Sequence, residues 1–154
     1  MGTSARKKDS SLSIVIVVAI VLIASALLIV RPSPEQVVAM STDSLLRVQG
    51  VTRSSGTVVI QRLDGVSTSI PELASPVYEA TLTGEGTLED AEFTFSFSDF
   101  DSGLAIQDVA VYVFNREMLT WESLPTFFDL ENQTLTAHME FSGSILVGLG
   151  IRML

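Results

Sequence analysis

Residues 92–98 read Glu92-Phe93-Thr94-Phe95-Ser96-Phe97-Ser98, a strict alternation of rings with polar side chains. A helix would scatter these rings around its circumference. An extended chain, with its two-residue repeat, gathers all three on one face and sets Thr94, Ser96 and Ser98 on the other. The segment therefore reads as a half-buried strand, and its surroundings read the same way. Before it, the β-branched stretch Thr57 to Leu63 ends at the turn dipeptide Asp64-Gly65, and Val77 to Leu82 stops at Thr83-Gly84-Glu85-Gly86. After it come Val109 to Phe114, Thr134 to Phe141 and Ile145 to Ile151, with Leu135, Ala137, Met139 and Phe141 sharing a face. No window of helical period is long enough to supply a crossover helix. The pattern predicts an all-β domain over residues 41–154, an antiparallel β-sandwich of about seven to nine strands. The stretch from Val37 to Gly56 is compatible with one or two edge strands or with a short helix.

The 154-residue chain has room for one such domain, which at this size buries a core without disulfides. There is no cysteine and a single histidine, which excludes thiolate nucleophiles, cysteine-based zinc sites and any centre needing two imidazoles. The 18 acidic and 9 basic side chains give a net charge of −9, and the two signs are not mixed evenly. Arg6, Lys7 and Lys8 precede residue 12, after which all six bases are arginines and the net charge is −11. A domain of that charge repels a phosphate backbone, so nucleic acid is not an expected partner.

Residues 12–30, Leu12 through Val30, form an uncharged run of 19 in which only Ser13 and Ser25 are polar. As a helix it is about 28 Å long, close to the hydrocarbon thickness of a bilayer. Its valines and isoleucines do not argue against a helix there, because a lone strand in lipid leaves its backbone polar groups unsatisfied. The run reads as one transmembrane helix, an uncleaved signal-anchor. Residues 1–11 then form a basic cytoplasmic tail, 31–40 a linker opened by Arg31-Pro32-Ser33-Pro34, and the sandwich lies outside the cell membrane, by the excess of positive charge on the N-terminal side. The competing reading is a signal peptide cut after Ala24-Ser25-Ala26. The run continues beyond that site, and a signal sequence is ordinarily shorter.

The C-terminal half carries Ser75-Pro76-Val77-Tyr78-Glu79, Gly84, Val111-Tyr112-Val113-Phe114 and Thr120-Trp121-Glu122-Ser123-Leu124-Pro125. Asp129, Asn132, Thr134, Thr136 and Phe141-Ser142 follow. In this spacing residues 75–150 resemble surface β-sandwich modules of bacterial and archaeal envelope proteins, of the zonula-occludens/netrin-receptor type. More remotely they are similar to the autoproteolysis-inducing fold of adhesion receptors. The second resemblance implies a His-Phe-Ser or His-Leu-Thr triplet whose imidazole activates the hydroxyl. This chain has Glu140-Phe141-Ser142, and His138 lies one strand repeat from Glu140, about 6.6 Å along the chain. Phe141 reads as core and Ser142 as the start of a Ser-Gly turn, so the protein is not expected to be an enzyme.

Other candidates rest on single loops. Asp99-Phe100-Asp101-Ser102-Gly103 offers two carboxylates to a hard cation, making Asp99 and Asp101 the candidate calcium ligands; the distal bidentate acid of an EF-hand is missing. Glu85, Glu89 and Asp90 form a second acidic loop, which would add to a weak cation site if it shared an end of the sandwich with the first. Asn132-Gln133-Thr134 matches the glycosylation acceptor pattern, although Asp129-Leu130-Glu131-Asn132 is also a hairpin connection. Trp121 reads as core and His138 as a solvent-facing strand residue, while Gly148-Leu149-Gly150 lacks the following helix of a phosphate loop. The expected function is that of a single-pass membrane-anchored envelope protein whose sandwich makes non-enzymatic contacts with other envelope or membrane proteins. The alternative is an accessory subunit of a larger membrane complex, assembled through its helix in the lipid.

Overall fold

A computed structural model describes residues 33–64, 75–97 and 105–152. The chain divides into a unit of Met1–Ser33 and a unit of Pro34–Leu154, and every described strand belongs to the second. Ten strands are present among the described residues: β1 Glu35–Met40, β2 Leu46–Thr52, β3 Thr57–Leu63, β4 Val77–Thr83, β5 Leu88–Ser96, β6 Val109–Asn115, β7 Thr120–Ser123, β8 Thr126–Asp129, β9 Thr134–Phe141 and β10 Ser144–Ile151. They form two antiparallel sheets of five, β1-β2-β5-β9-β8 and β3-β4-β10-β6-β7. The all-β sandwich expected from the alternation is thus observed, with one strand more than the upper expected number. Residues 35–40, read as linker, are instead strand β1, paired along its whole length with β2 from Glu35↔Thr52 to Met40↔Arg47. Among the described residues no helix is long and apolar enough to cross a membrane; residues 12–30 lie outside them.

The rings of β5 organise the core. Phe93 and Phe95 are fully buried and Phe97 packs against the same cluster. Phe93 meets Phe141 of β9 at 5.8 Å between centroids, and Phe95 meets Tyr78 of the opposite sheet at 6.0 Å. Leu46, Val48, Leu135 and Ala137 line one sheet and Val58, Ala80, Leu82, Val109, Val111, Val147 and Leu149 the other. Each inward row follows from the two-residue period of its strand. The hairpins β1-β2, β3-β4, β6-β7 and β8-β9 stay within a sheet, whereas the chain passes between sheets from β2 to β3, β4 to β5 and β9 to β10 at one end. That end also holds the start of β1 and the β6-β7 turn. The opposite end holds Ser41–Leu45, the ends of β3, β5 and β10, and the β8-β9 turn.

The acidic loop read at Glu85, Glu89 and Asp90 is largely strand. Glu89 and Asp90 belong to β5, at a bulge where the register with β2 slips between Gln49 and Val51. Asp90 takes a positive φ of 49° there, and a Cβ on the facing Gly50 would come within 2.8 Å of the Leu88 side chain. The bulge turns Glu89 to Arg53, at 3.0 Å, and Asp90 to His138.

At the other end the sheets are tied by a polar network. The buried Tyr78 hydroxyl donates to Asp43 Oδ2 at 2.8 Å, Arg62 reaches the same oxygen at 3.3 Å, and Ser41 Oγ donates to Asp43 Oδ1 at 2.6 Å while accepting from the Leu46 amide. Burial alone would raise the Asp43 carboxyl, but hydrogen bonds from Ser41, Tyr78, Leu45 and Arg62 outweigh it and hold the group below its usual value. Burial and Asp43 together push the Tyr78 hydroxyl far above the ordinary phenol range. Because the native carboxyl is the more acidic, the stability it contributes is complete above its unfolded value near pH 4 and is lost as pH falls through the lower native one. Asp43→Asn is expected to cost about 1–2 kcal/mol at pH 7, because a single carboxamide oxygen cannot replace the two carboxylate oxygens that accept from Ser41 and Leu45 on one side and from Tyr78 and Arg62 on the other. Urea denaturation at pH 7 and at pH 2.5 checks this: the gap between variant and parent should narrow in acid, and a gap independent of pH would contradict it.

Candidate protein-contact edge

β7 and β8 are two halves of one edge. β7 pairs with β6 from Asn115↔Thr120 to Tyr112↔Ser123, the chain bends at Leu124-Pro125, and β8 pairs with β9 from Thr126↔Ala137 to Asp129↔Thr134. Proline supplies no backbone donor, so the ladder stops there and restarts on the other sheet. Thr126 secures the bend: its hydroxyl donates to the Leu124 carbonyl at 2.8 Å and accepts from the Val111 amide at 2.9 Å. Along the bend runs a groove of about 450 Å³ lined by Ala110, Ser123, Leu124, Pro125, Thr126, Phe127 and Arg152.

The rings of β8 face solvent. Phe127 stands opposite Thr136 on the outward side and is 68% exposed; Phe128 stands opposite the buried Leu135, yet its position at the sheet edge leaves it 45% exposed. Leu130, in the following turn, is 65% exposed. Of the chain's eight phenylalanines, Phe93 and Phe95 are fully enclosed, so β8 presents the ring area that a core would ordinarily absorb. Nothing pairs with the outer edge of β8 in its sheet, whose order ends there among the described residues. Such an edge can take a further strand. The opposite side of the sandwich is different, since β1 and β3 lie against one another.

The turn after β8 is built by Asp129. Its Oδ1 accepts from the amides of Glu131 and Asn132, and its Oδ2 from the Asn132 carboxamide at 2.7 Å. The Asn132 side chain, then the amides, hold this carboxyl below its usual value. Asn132 is exposed and acts as a turn residue here.

The remaining sequence candidates disperse. Asp99 and Asp101 lie outside the described residues; Glu89 and Asp90 sit where β5 begins, a full strand away from Ser96, where it ends. Among the described residues no group of three His, Asp or Glu side chains is arranged to hold a metal ion. His138 is exposed, its Nδ1 3.4 Å from Asp90 and its Nε2 3.8 Å from Glu92 on the outer face of its sheet, while Ser142 is exposed in the turn before β10. Trp121 is not part of the core cluster: its ring meets that of Phe114 at a tilt, 5.4 Å between centroids, on the outer face of the second sheet, and its buried indole nitrogen has no hydrogen-bond partner among the described residues. Ser144 donates to Glu79, and Arg116 joins them at 3.2 Å from the carboxylate, an ordinary polar tie across β4, β10 and the β6-β7 turn.

Phe127 and Phe128 were legible in principle. Adjacent residues of a strand point to opposite faces, so two neighbouring phenylalanines cannot both enter one core. Comparison with protein-family models, characterised proteins and solved structures finds no match to this chain.

Proposed function

We propose that this is a single-pass membrane protein whose β-sandwich stands on the outer side and makes non-enzymatic contacts with an extended segment of another envelope or membrane protein. The observation that carries the contact is the pair Phe127 and Phe128 on the unpaired edge of β8, beside the groove at Leu124-Pro125. The anchor reading rests on the uncharged run 12–30 and on Arg6, Lys7 and Lys8 before it. A partner strand added to β8 gains main-chain hydrogen bonds along the edge and a ring on each side of it, which matches the geometry of strand addition.

A photoreactive phenylalanine analogue at position 127 in the full chain, in native membranes, tests the contact. One discrete crosslinked species is expected from position 127 and none from Val59, which is also exposed but lies on the far edge. Phe127→Asp should weaken recovery of the same partner at least tenfold. Equal crosslinking from both positions, or a partner retained by Phe127→Asp, would overturn the proposal.

A further inference from the structure

The end of the sandwich at which β1 begins carries four connections. Three have small or polar tips: 53–56, 84–87 and 142–143. The fourth, the β6-β7 turn, presents Met118 and Leu119, which are 68% and 74% exposed. The Asn115 side chain folds that turn, its Oδ1 accepting from the amides of Glu117 at 3.0 Å and Met118 at 3.1 Å, so the turn does not depend on the two apolar side chains. Leu119 also has φ of +54°, a conformation that glycine and asparagine adopt readily and a large aliphatic residue does not. Leucine is thus placed where local chemistry disfavours it, and within the sandwich it gains little burial in return.

Chain reach supplies a reason. Five residue steps separate Val30, the last of the uncharged run, from Glu35, the first of β1, and they span at most about 17 Å. The headgroup layer takes up about 5–8 Å of that distance. The transmembrane reading of residues 12–30 is the premise: if they cross the bilayer, the end bearing Met118 and Leu119 is tethered at the lipid surface and the β8-β9 turn is held away from it. We infer that the Met118-Leu119 tip of the β6-β7 turn inserts into the interfacial layer of the same membrane, giving the sandwich a second point of attachment. Glu117 adjoins the tip, and the two arginines described at this end already face carboxylates, Arg116 at 3.2 Å from Glu79 and Arg53 at 3.0 Å from Glu89, so attraction to anionic headgroups is not the driving force. The contact is apolar and should form on zwitterionic lipid.

The chain has no cysteine, so single probes are introduced cleanly. The full protein in phosphatidylcholine nanodiscs, with an environment-sensitive fluorophore on Glu117→Cys, Leu130→Cys or Val21→Cys, is exposed in turn to spin-labelled lipid and to aqueous iodide. Lipid quenching at 117 should exceed that at 130 by at least twofold, and should fall to the level of 130 when Met118→Ser and Leu119→Ser are added. Equal quenching at 117 and 130, with strong quenching at 21, would overturn the second attachment and leave the anchor standing. A probe at 21 that lipid does not quench removes the anchor reading and this inference with it. Protection at 117 from both lipid and iodide would mean that protein covers the turn, which also overturns it.

Discussion

Phe93→Ala is expected to destabilise the sandwich by about 3–5 kcal/mol, the cost of emptying a fully buried aromatic site. Phe93 lies in β5, the middle strand of its sheet, has no exposed surface, and packs on Phe141. Because a domain of this size is stable by about 5–15 kcal/mol in all, the loss removes a large share of its stability. Phe127→Ala removes the same ring from the same sheet and should change stability by about 0.5 kcal/mol or less, as at other exposed positions. Urea denaturation of the full chain in mild detergent compares the two. Similar losses would mean that the ring of Phe127 is enclosed within the chain, and the contact edge would then have no basis.

Gly56→Ala should be the second most damaging, at about 2–3 kcal/mol. A Cβ there would lie 2.4 Å from the Thr83 carbonyl oxygen, which is backbone and cannot swing aside. The close approach arises because the β2-β3 and β4-β5 connections pass between the sheets side by side: Gly84, with φ of +101°, is equally hemmed in by the Ser55 carbonyl at 2.7 Å. Gly143 is the control. It has φ of +64° but open space around it, so Gly143→Ala should carry only the conformational cost of about 1 kcal/mol. Equal losses at 56 and 143 in the same denaturation experiment would show that crowding between the two connections is not what fixes Gly56.

The strands that sequence reveals are those with a complete inward row. Thr57–Leu63 and Thr134–Phe141 match β3 and β9 end to end, and the phenylalanine alternation locates β5. β1 escapes because Val37 is its only buried residue, and β2 because Gly50 interrupts its alternation opposite the bulge. β7 and β8 are four residues each, too short for a period to show, and their joint role as one bent edge depends on Pro125 and Thr126 acting across sheets. The bulge at Asp90 is a tertiary event with no local turn signature, so Glu89 and Asp90 read as loop. The contact edge is half legible: neighbouring phenylalanines of one strand cannot both enter the core, but that they lie on a sheet edge with no further strand among the described residues follows only from the strand order.

A sandwich held on the outer side of a membrane by residues 12–30, with β8 open to a partner, is the arrangement on which the proposed function depends. The most direct measurement is labelling of intact cells with a membrane-impermeant maleimide, using Leu130→Cys beside β8 and Ser4→Cys before the apolar run. Leu130→Cys is expected to react in intact cells and Ser4→Cys only after lysis, with both remaining in the membrane fraction. Protection of Leu130→Cys until lysis, or labelling of Ser4→Cys in intact cells, would contradict that arrangement.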